Sequence, residues 1–156
     1  MLLRYMLDTN LCIRVLRDRP KWLRARFNAE ADALCISTIT LAELLHGAGK
    51  SAKPIDSRHE VERFASRLDV LPFDVDAASH SAEIGTALER RGRSIGAYDL
   101  LIAGHARSRG LVVVTGNLAE FSRVHGLRSE DWLADPGAGS YQAPLIATHG
   151  GFPMRR

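Results

Sequence analysis

Apolar residues recur along this chain in short unbroken runs and in longer stretches with a helical period, and their alternation predicts strands interleaved with helices. Leu2 to Leu7 reads as a buried strand. Asp8, Thr9 and Asn10 then offer capping side chains ahead of a helix whose Leu11, Val15 and Leu16 are its periodic apolar positions. Pro20 suits the first position of a second helix carrying Trp22, Leu23 and Phe27 inward. Leu34-Cys35-Ile36 is the next strand, and Leu41, Leu44, Leu45 and Ala48 after it recur at the i, i+3, i+4, i+7 spacing of a helix. A helix opening at Pro54 presents Val61, Phe64, Ala65 and Leu68, and Val70-Leu71 makes a brief strand beyond it. Asp74 caps a helix through Ile84 and Leu88 that stops before Gly92. Ile95 to Asp99 leads into a helix with Leu101, Ile102, His105 and Ala106 inward, closed by Gly110. Val112-Val113-Val114 is apolar throughout, as a central parallel strand covered on both faces must be.

Strands that alternate with helices pair in parallel through crossovers, so the expected fold class is α/β: a three-layer α/β/α sandwich around a mostly parallel sheet, without internal repeats. A chain of 156 residues suits one core. After Trp132 the composition turns to Asp135-Pro136-Gly137-Ala138-Gly139-Ser140 and an irregular remainder, which divides the chain into a compact domain over 1–134 and a tail over 135–156.

Composition narrows the picture a little. With 46% hydrophobic and 25% charged residues, neither a disordered nor a membrane class is favoured. The opening apolar run is broken by Arg4 and ended by Asp8, too short for a secretory leader or a spanning helix, so a cytoplasmic protein without membrane contact is expected. Cys12 and Cys35 sit in apolar segments with no metal-ligand spacing and suit buried thiols. The net charge of +3 leans mildly toward a polyanionic partner. Aromatics at 6% are too sparse for a multi-base stacking platform, which points to a structured nucleic acid.

The candidate chemistry is acidic. In an open parallel sheet, ligands bind at the carboxyl ends of the strands. Asp8 follows the first predicted strand, Glu43 lies a turn beyond the second, and Asn117 and Glu120 follow the Val112 strand. Asp99 reaches the same edge if its helix points its N-terminus there. Carboxylates that converge without basic neighbours repel one another, and a hard divalent cation, magnesium first, is the usual reason to tolerate that. Each acid also has a purely structural use: Asp8 as a helix cap, Asp99 as a first-turn acid, and Thr40 with Glu43 as a capping box. His46, three residues after Glu43, gives one ExxH where a di-iron bundle needs two, and His105 falls on an apolar helix face. Arg90-Arg91-Gly92-Arg93 is a helix end that either is simply solvated or, through Arg91 and Arg93, contacts an RNA backbone.

The motifs together resemble a known family. Met6-Leu7-Asp8-Thr9-Asn10, Thr40-Leu41-Ala42-Glu43-Leu44, Asp99-Leu100-Leu101-Ile102-Ala103 and Val114-Thr115-Gly116-Asn117 with Glu120-Phe121 are similar, in order and spacing, to the motifs of PIN-domain proteins. Gly126-Leu127 and Glu130-Asp131-Trp132 resemble the VapC branch of that family, the likeness covering roughly 2 to 133. The resemblance implies a PIN-like fold and a toxin that hydrolyses RNA with magnesium or manganese. Asp8, Glu43 and Asp99 would be the metal-holding acids, with Asn117 or Glu120 in the fourth position. Thr9, Asn10, Thr115 and Asn117 would orient carboxylates and water. It further implies a structured RNA substrate, often tRNA, a homodimer, and a VapB-type antitoxin through which DNA is met only indirectly. A non-catalytic binding module on the same scaffold, or a metal-dependent DNA nuclease, is the alternative. Gly116 departs from the branch, which often has a second asparagine there.

Overall fold

The computed structural model describes residues 2–18 and 20–133; the tail over 135–156 lies outside them. The chain order is β1 (Tyr5–Leu7), α1 (Thr9–Asp18), α2 (Lys21–Ala29), β2 (Leu34–Ser37), α3 (Thr38–Gly49), α4 (Pro54–Ala65) and β3 (Asp69–Leu71). It continues with α5 (Val75–Arg90), α6 (Ala97–Ser108), β4 (Val112–Val114), α7 (Leu118–Phe121) and β5 (Ser129–Glu130). The strands form a five-stranded sheet in the order β3-β2-β1-β4-β5, and every pairing is parallel.

Side chains alternate across a strand, and here the alternation builds two separate cores. Tyr5, Leu7, Leu34, Ile36, Val112 and Val114 face one of them, together with Leu11, Leu23, Leu44 and Val61 from α1 to α4. Met6, Cys35 and Val113 face the other, with Ile84, Leu88, Ile102, Ala106 and Phe121 from α5 to α7. The result is the expected three-layer sandwich, with β1 central and fully covered.

Helices α5 and α6 approach each other unusually closely at Gly104. A Cβ there would stand 2.0 Å from Ser81 Oγ and 2.6 Å from the Ser81 backbone nitrogen. Ser81 turns its hydroxyl back onto the Ala77 carbonyl at 2.8 Å, which keeps it satisfied inside the contact. Glycines with positive φ end the helices as read from the sequence: Gly92 at 65° after α5 and Gly110 at 68° after α6.

The boundaries differ from the sequence reading in instructive places. The buried strand begins only at Tyr5: the Arg4 backbone already bonds Ala33 and Val112, but the Arg4 side chain is exposed and Leu2 is 82% exposed. Pro20 caps α2 from outside, with extended backbone, rather than opening it. The edge strand β5 has no counterpart in the apolar pattern, since it consists of Ser129 and Glu130.

Candidate active site

Parallel strands bring their C-terminal ends to one edge of the sheet, and acids gather there. Asp8 leaves β1 only 1% exposed. Its Oδ1 accepts the Leu11 amide at 2.9 Å, capping α1, and its Oδ2 accepts the Thr115 hydroxyl at 2.6 Å. Thr115, just past β4, accepts the Asn117 amide at 2.8 Å on the same hydroxyl oxygen. A carboxylate offers about four lone-pair sites, so these two donors leave acceptor capacity on Asp8. Capping and site chemistry therefore coexist in one side chain.

Glu43 is placed differently from the capping-box reading. Ser37 caps α3, its Oγ accepting the Ile39 amide at 3.0 Å, so Thr40 lies inside the helix and Glu43 in its second turn. Thr9 spans the gap from α1: its hydroxyl donates to Glu43 Oε1 and shares a 3.2 Å hydrogen bond with Thr40 Oγ1. A hydroxyl has one proton, so giving it to Glu43 leaves the Thr9 oxygen to accept from buried Thr40.

Asp99, in the first turn of α6, meets Glu120 of α7 through a hydrogen bond between the two carboxyl groups, which requires a proton on one of them. Burial, then this contact, then the charges of Glu120, Asp8 and Glu43 push Asp99 up to about 8. Burial also lifts Asp8 to about 6; the Thr115 and Leu11 bonds work against that rise, and the charges of Glu43 and Asp131 add to it. The Oε1 of Glu120 is buried without a hydrogen-bond partner. Among the described residues, Asp8, Glu43, Asp99 and Glu120 take part in no ion pair.

These features suit a hard cation. The donors are all oxygens, they repel one another, and one of them is buried with nothing to bond. Among the described residues no three Asp, Glu, His or Cys side chains form a ready-made chelating group. Magnesium does not need one, because it takes one or two carboxylates and completes its shell with water and substrate phosphate.

The raised carboxyl groups set a pH dependence for the metal-free protein. Its folded state binds these protons more tightly than the unfolded chain, so their contribution is complete below the ordinary carboxylate range and is lost as pH rises through about 6 for Asp8 and about 8 for Asp99. In a chelator, unfolding temperature is expected to fall by roughly 5 °C between about pH 5 and about pH 8.5. Added magnesium should flatten that slope, and a stability that climbs over this range in the chelator contradicts the acidic cluster.

The remaining sequence candidates divide. Asn117 contributes its backbone amide to Thr115, and no side-chain hydrogen bond ties Asn10 or Asn117 to a carboxylate among the described residues. His46 is exposed on α3. His105 is fully buried, with Nδ1 at 2.8 Å from Ser37 Oγ and its ring edge-on to Phe73, although its Nε2 has no hydrogen-bond partner. Burial holds the His105 pKa below its ordinary value. Arg91 is tied to the Arg123 carbonyl at 2.9 Å, whereas Arg93 is exposed. Sequence reasoning missed Thr40 as a site hydroxyl and Asp131, which follows β5 and adds charge near Asp8. The spacing of Thr40 and Glu43 mimics a helix cap, and nothing local marks Asp131. Gly116 has its side-chain space taken by Leu133, whose Cδ1 would lie 2.5 Å from a Cβ there.

Comparison with known proteins shows the family. The PIN domain model matches residues 5–127. The chain is 52% identical over 131 residues to the tRNA(fMet)-specific endonuclease VapC of Salmonella typhimurium, covering 84% of this chain and 99% of that protein. It is 50% identical over 131 residues to the protein of the same name from Shigella flexneri, with the same coverage of 84% and 99%. A crystal structure of DNA-bound VapBC from Salmonella typhimurium aligns with a TM-score of 0.82 at 52% identity, over 83% of this chain and 98% of that one. With the family model, the degree of identity and the fold in agreement, the chain belongs to the PIN-domain family, in the VapC branch.

Proposed function

We propose that this protein is the toxin of a VapBC-type toxin–antitoxin pair, a metal-dependent endoribonuclease that hydrolyses phosphodiester bonds in structured RNA, with tRNA as substrate, and so arrests translation. The observation that carries the reading is the gathering of Asp8, Glu43, Asp99 and Glu120 at one sheet edge with no described cation paired to them. The relatives named as tRNA(fMet)-specific endonucleases support RNA over DNA as the polymer cut.

Divalent metal is the general requirement of PIN-domain nucleases; magnesium, with manganese as substitute, is proposed here, held by carboxylates drawn from Asp8, Glu43 and Asp99 and completed by water and substrate phosphate. When bound, such an ion lowers the pKa of water and neutralises charge developing on a phosphate. The chain's own groups do the rest. Thr115 fixes Asp8 and Thr9 fixes Glu43, so both carboxylates are oriented before substrate arrives. Asp99, whose ionisation is opposed by burial and by the neighbouring carboxyl groups, would give up its proton to join Asp8 and Glu43 around the cation, and the proton released as water attacks phosphorus would pass to solvent. The bond to the 3′ oxygen breaks, leaving 3′-hydroxyl and 5′-phosphate ends.

The antitoxin is proposed to occupy the groove between α1, α2 and α4. Leu16, Phe27 and Phe64 line it, and Arg24, Arg63 and Arg67 add positive charge, a combination suited to an amphipathic acidic segment. The protein is proposed to act as a homodimer in the cytoplasm, and to meet DNA only through that antitoxin. No helix among the described residues is long and apolar enough to cross a membrane.

The test is to incubate purified protein with total tRNA, with magnesium or with a chelator, and with or without its co-expressed antitoxin. Cleavage is expected only with the metal and only without the antitoxin. Cleavage in the chelator refutes the mechanism, and a preference for single- or double-stranded DNA refutes the substrate.

A further inference from the structure

We propose that Tyr98 is the base-docking residue of this site, its ring stacking on one unpaired nucleobase beside the scissile phosphate while Arg93 takes the adjoining backbone phosphate. The proposal deepens the ribonuclease reading and rests on it.

Most aromatic rings in the described structure are used internally. Tyr5, Phe121 and Trp132 are buried, and Trp22, Phe27 and Phe64 pack against the first core. Phe73 lies edge-on to His105. Tyr98 is 55% exposed, and neither its ring nor its hydroxyl has a partner among the described residues. A single exposed apolar group is ordinary, so exposure alone means little. Its place carries the argument: Tyr98 immediately precedes Asp99 in the first turn of α6.

The loop in front of that turn is fastened to the other side of the acidic cluster. Arg91 donates from its guanidinium to the Arg123 carbonyl at 2.9 Å, and Arg123 donates from its own to the Ser94 carbonyl at 3.0 Å. Arg123 follows α7, which carries Glu120, so these reciprocal bonds latch the loop holding Arg93 to the Asp99–Glu120 pair. Arg93 is exposed and in no ion pair among the described residues. The backbone that carries Arg93 and leads to Tyr98 is therefore held beside the carboxylates, with a cation and a flat π-face left free on it for a ligand.

A nucleotide offers the complement to both, an anionic phosphate and a stackable base. Acidic clusters repel RNA, so contacts at the rim must hold the strand while the metal-holding edge meets the phosphate. A base paired inside a duplex has both faces covered by its neighbours and cannot reach a lone ring. The bond cut is therefore next to an unpaired nucleotide, in a loop or bulge of a structured RNA.

The test uses the full chain in a chelator, which keeps the RNA intact, and a short RNA hairpin carrying 2-aminopurine at one loop position after another. Wild type and Tyr98→Phe are expected to quench the probe at one position. Tyr98→Ala should lose that quenching and bind about tenfold more weakly. With magnesium present, Tyr98→Ala should raise KM by a similar factor with kcat nearly unchanged, and Tyr98→Phe should restore it. Quenching that persists in Tyr98→Ala, or is absent from wild type at every loop position, overturns the proposal. So does a Tyr98→Ala protein whose loss of quenching coincides with dissociation in sedimentation, because the ring would then be a protein contact. If wild type quenches through Tyr98 but cuts nothing with magnesium, the ribonuclease reading fails while the base-docking assignment stands.

Discussion

Asp99→Asn is expected to stop RNA cleavage and, in the metal-free protein near neutral pH, to raise the unfolding temperature. The two effects have one cause. Asp99 is pushed up to about 8 by burial and by the carboxyl groups of Glu120, Asp8 and Glu43, so its ionised form opposes folding. An amide of the same shape removes that charge and donates to Glu120 without sharing a proton. After discounting for its partial exposure, the gain is about 1–2 kcal/mol, or roughly 5 °C. Turnover should fall on the order of 10³-fold or more, because a ligand for the cation is lost. Asp8→Asn should also abolish cleavage but without the added stability. Asp8 accepts from both Leu11 and Thr115, and an amide replaces one acceptor with a donor. Full activity in Asp99→Asn, or lower stability than wild type in a chelator, would remove Asp99 from the centre of the site.

Gly104→Ala is expected to cost about 3 kcal/mol, a shift of roughly 10 °C in unfolding temperature, although alanine is the better helix former. The added methyl would fall 2.0 Å from Ser81 Oγ, 2.6 Å from Ser81 N and 2.7 Å from Ser81 Cα. Two of those atoms are backbone, so relief requires α5 and α6 to move apart and loosens Ile84, Leu88, Ile102 and Ala106 together. Adding Ser81→Ala removes only the nearest clash and should recover only part of the loss. Thermal unfolding measures both variants, and a Gly104→Ala protein as stable as wild type would mean the helices do not touch there.

The outline of the fold was legible because each element carries its own signal. Val112 to Val114 announces a covered strand, Asp74 and Gly92 bracket α5, and Asp8 sits where a strand meets a helix. Other features depend on contacts between distant segments and leave no local trace. Strand β5 is polar and exists because Val113 and Val114 offer it a parallel edge. Thr40 looks like a helix cap until Ser37 takes that role and frees it to meet Thr9 across 31 residues. The candidate acids were found singly by spacing, but the pairing of Asp99 with Glu120 belongs to the assembled sheet. The close approach at Gly104 was invisible for the same reason: an isolated glycine in a helical pattern reads only as a weak helix former.

The strand order has a consequence for the cell that makes this protein. β1 lies between β2 and β4, and Thr115, at the end of the β4 segment that leads on to Glu120, stands 107 residues after Asp8. Asp8 therefore gains its hydroxyl partner only after α1 to α6 have been made. The acidic edge is complete only when β4 docks beside β1 and α7 follows it.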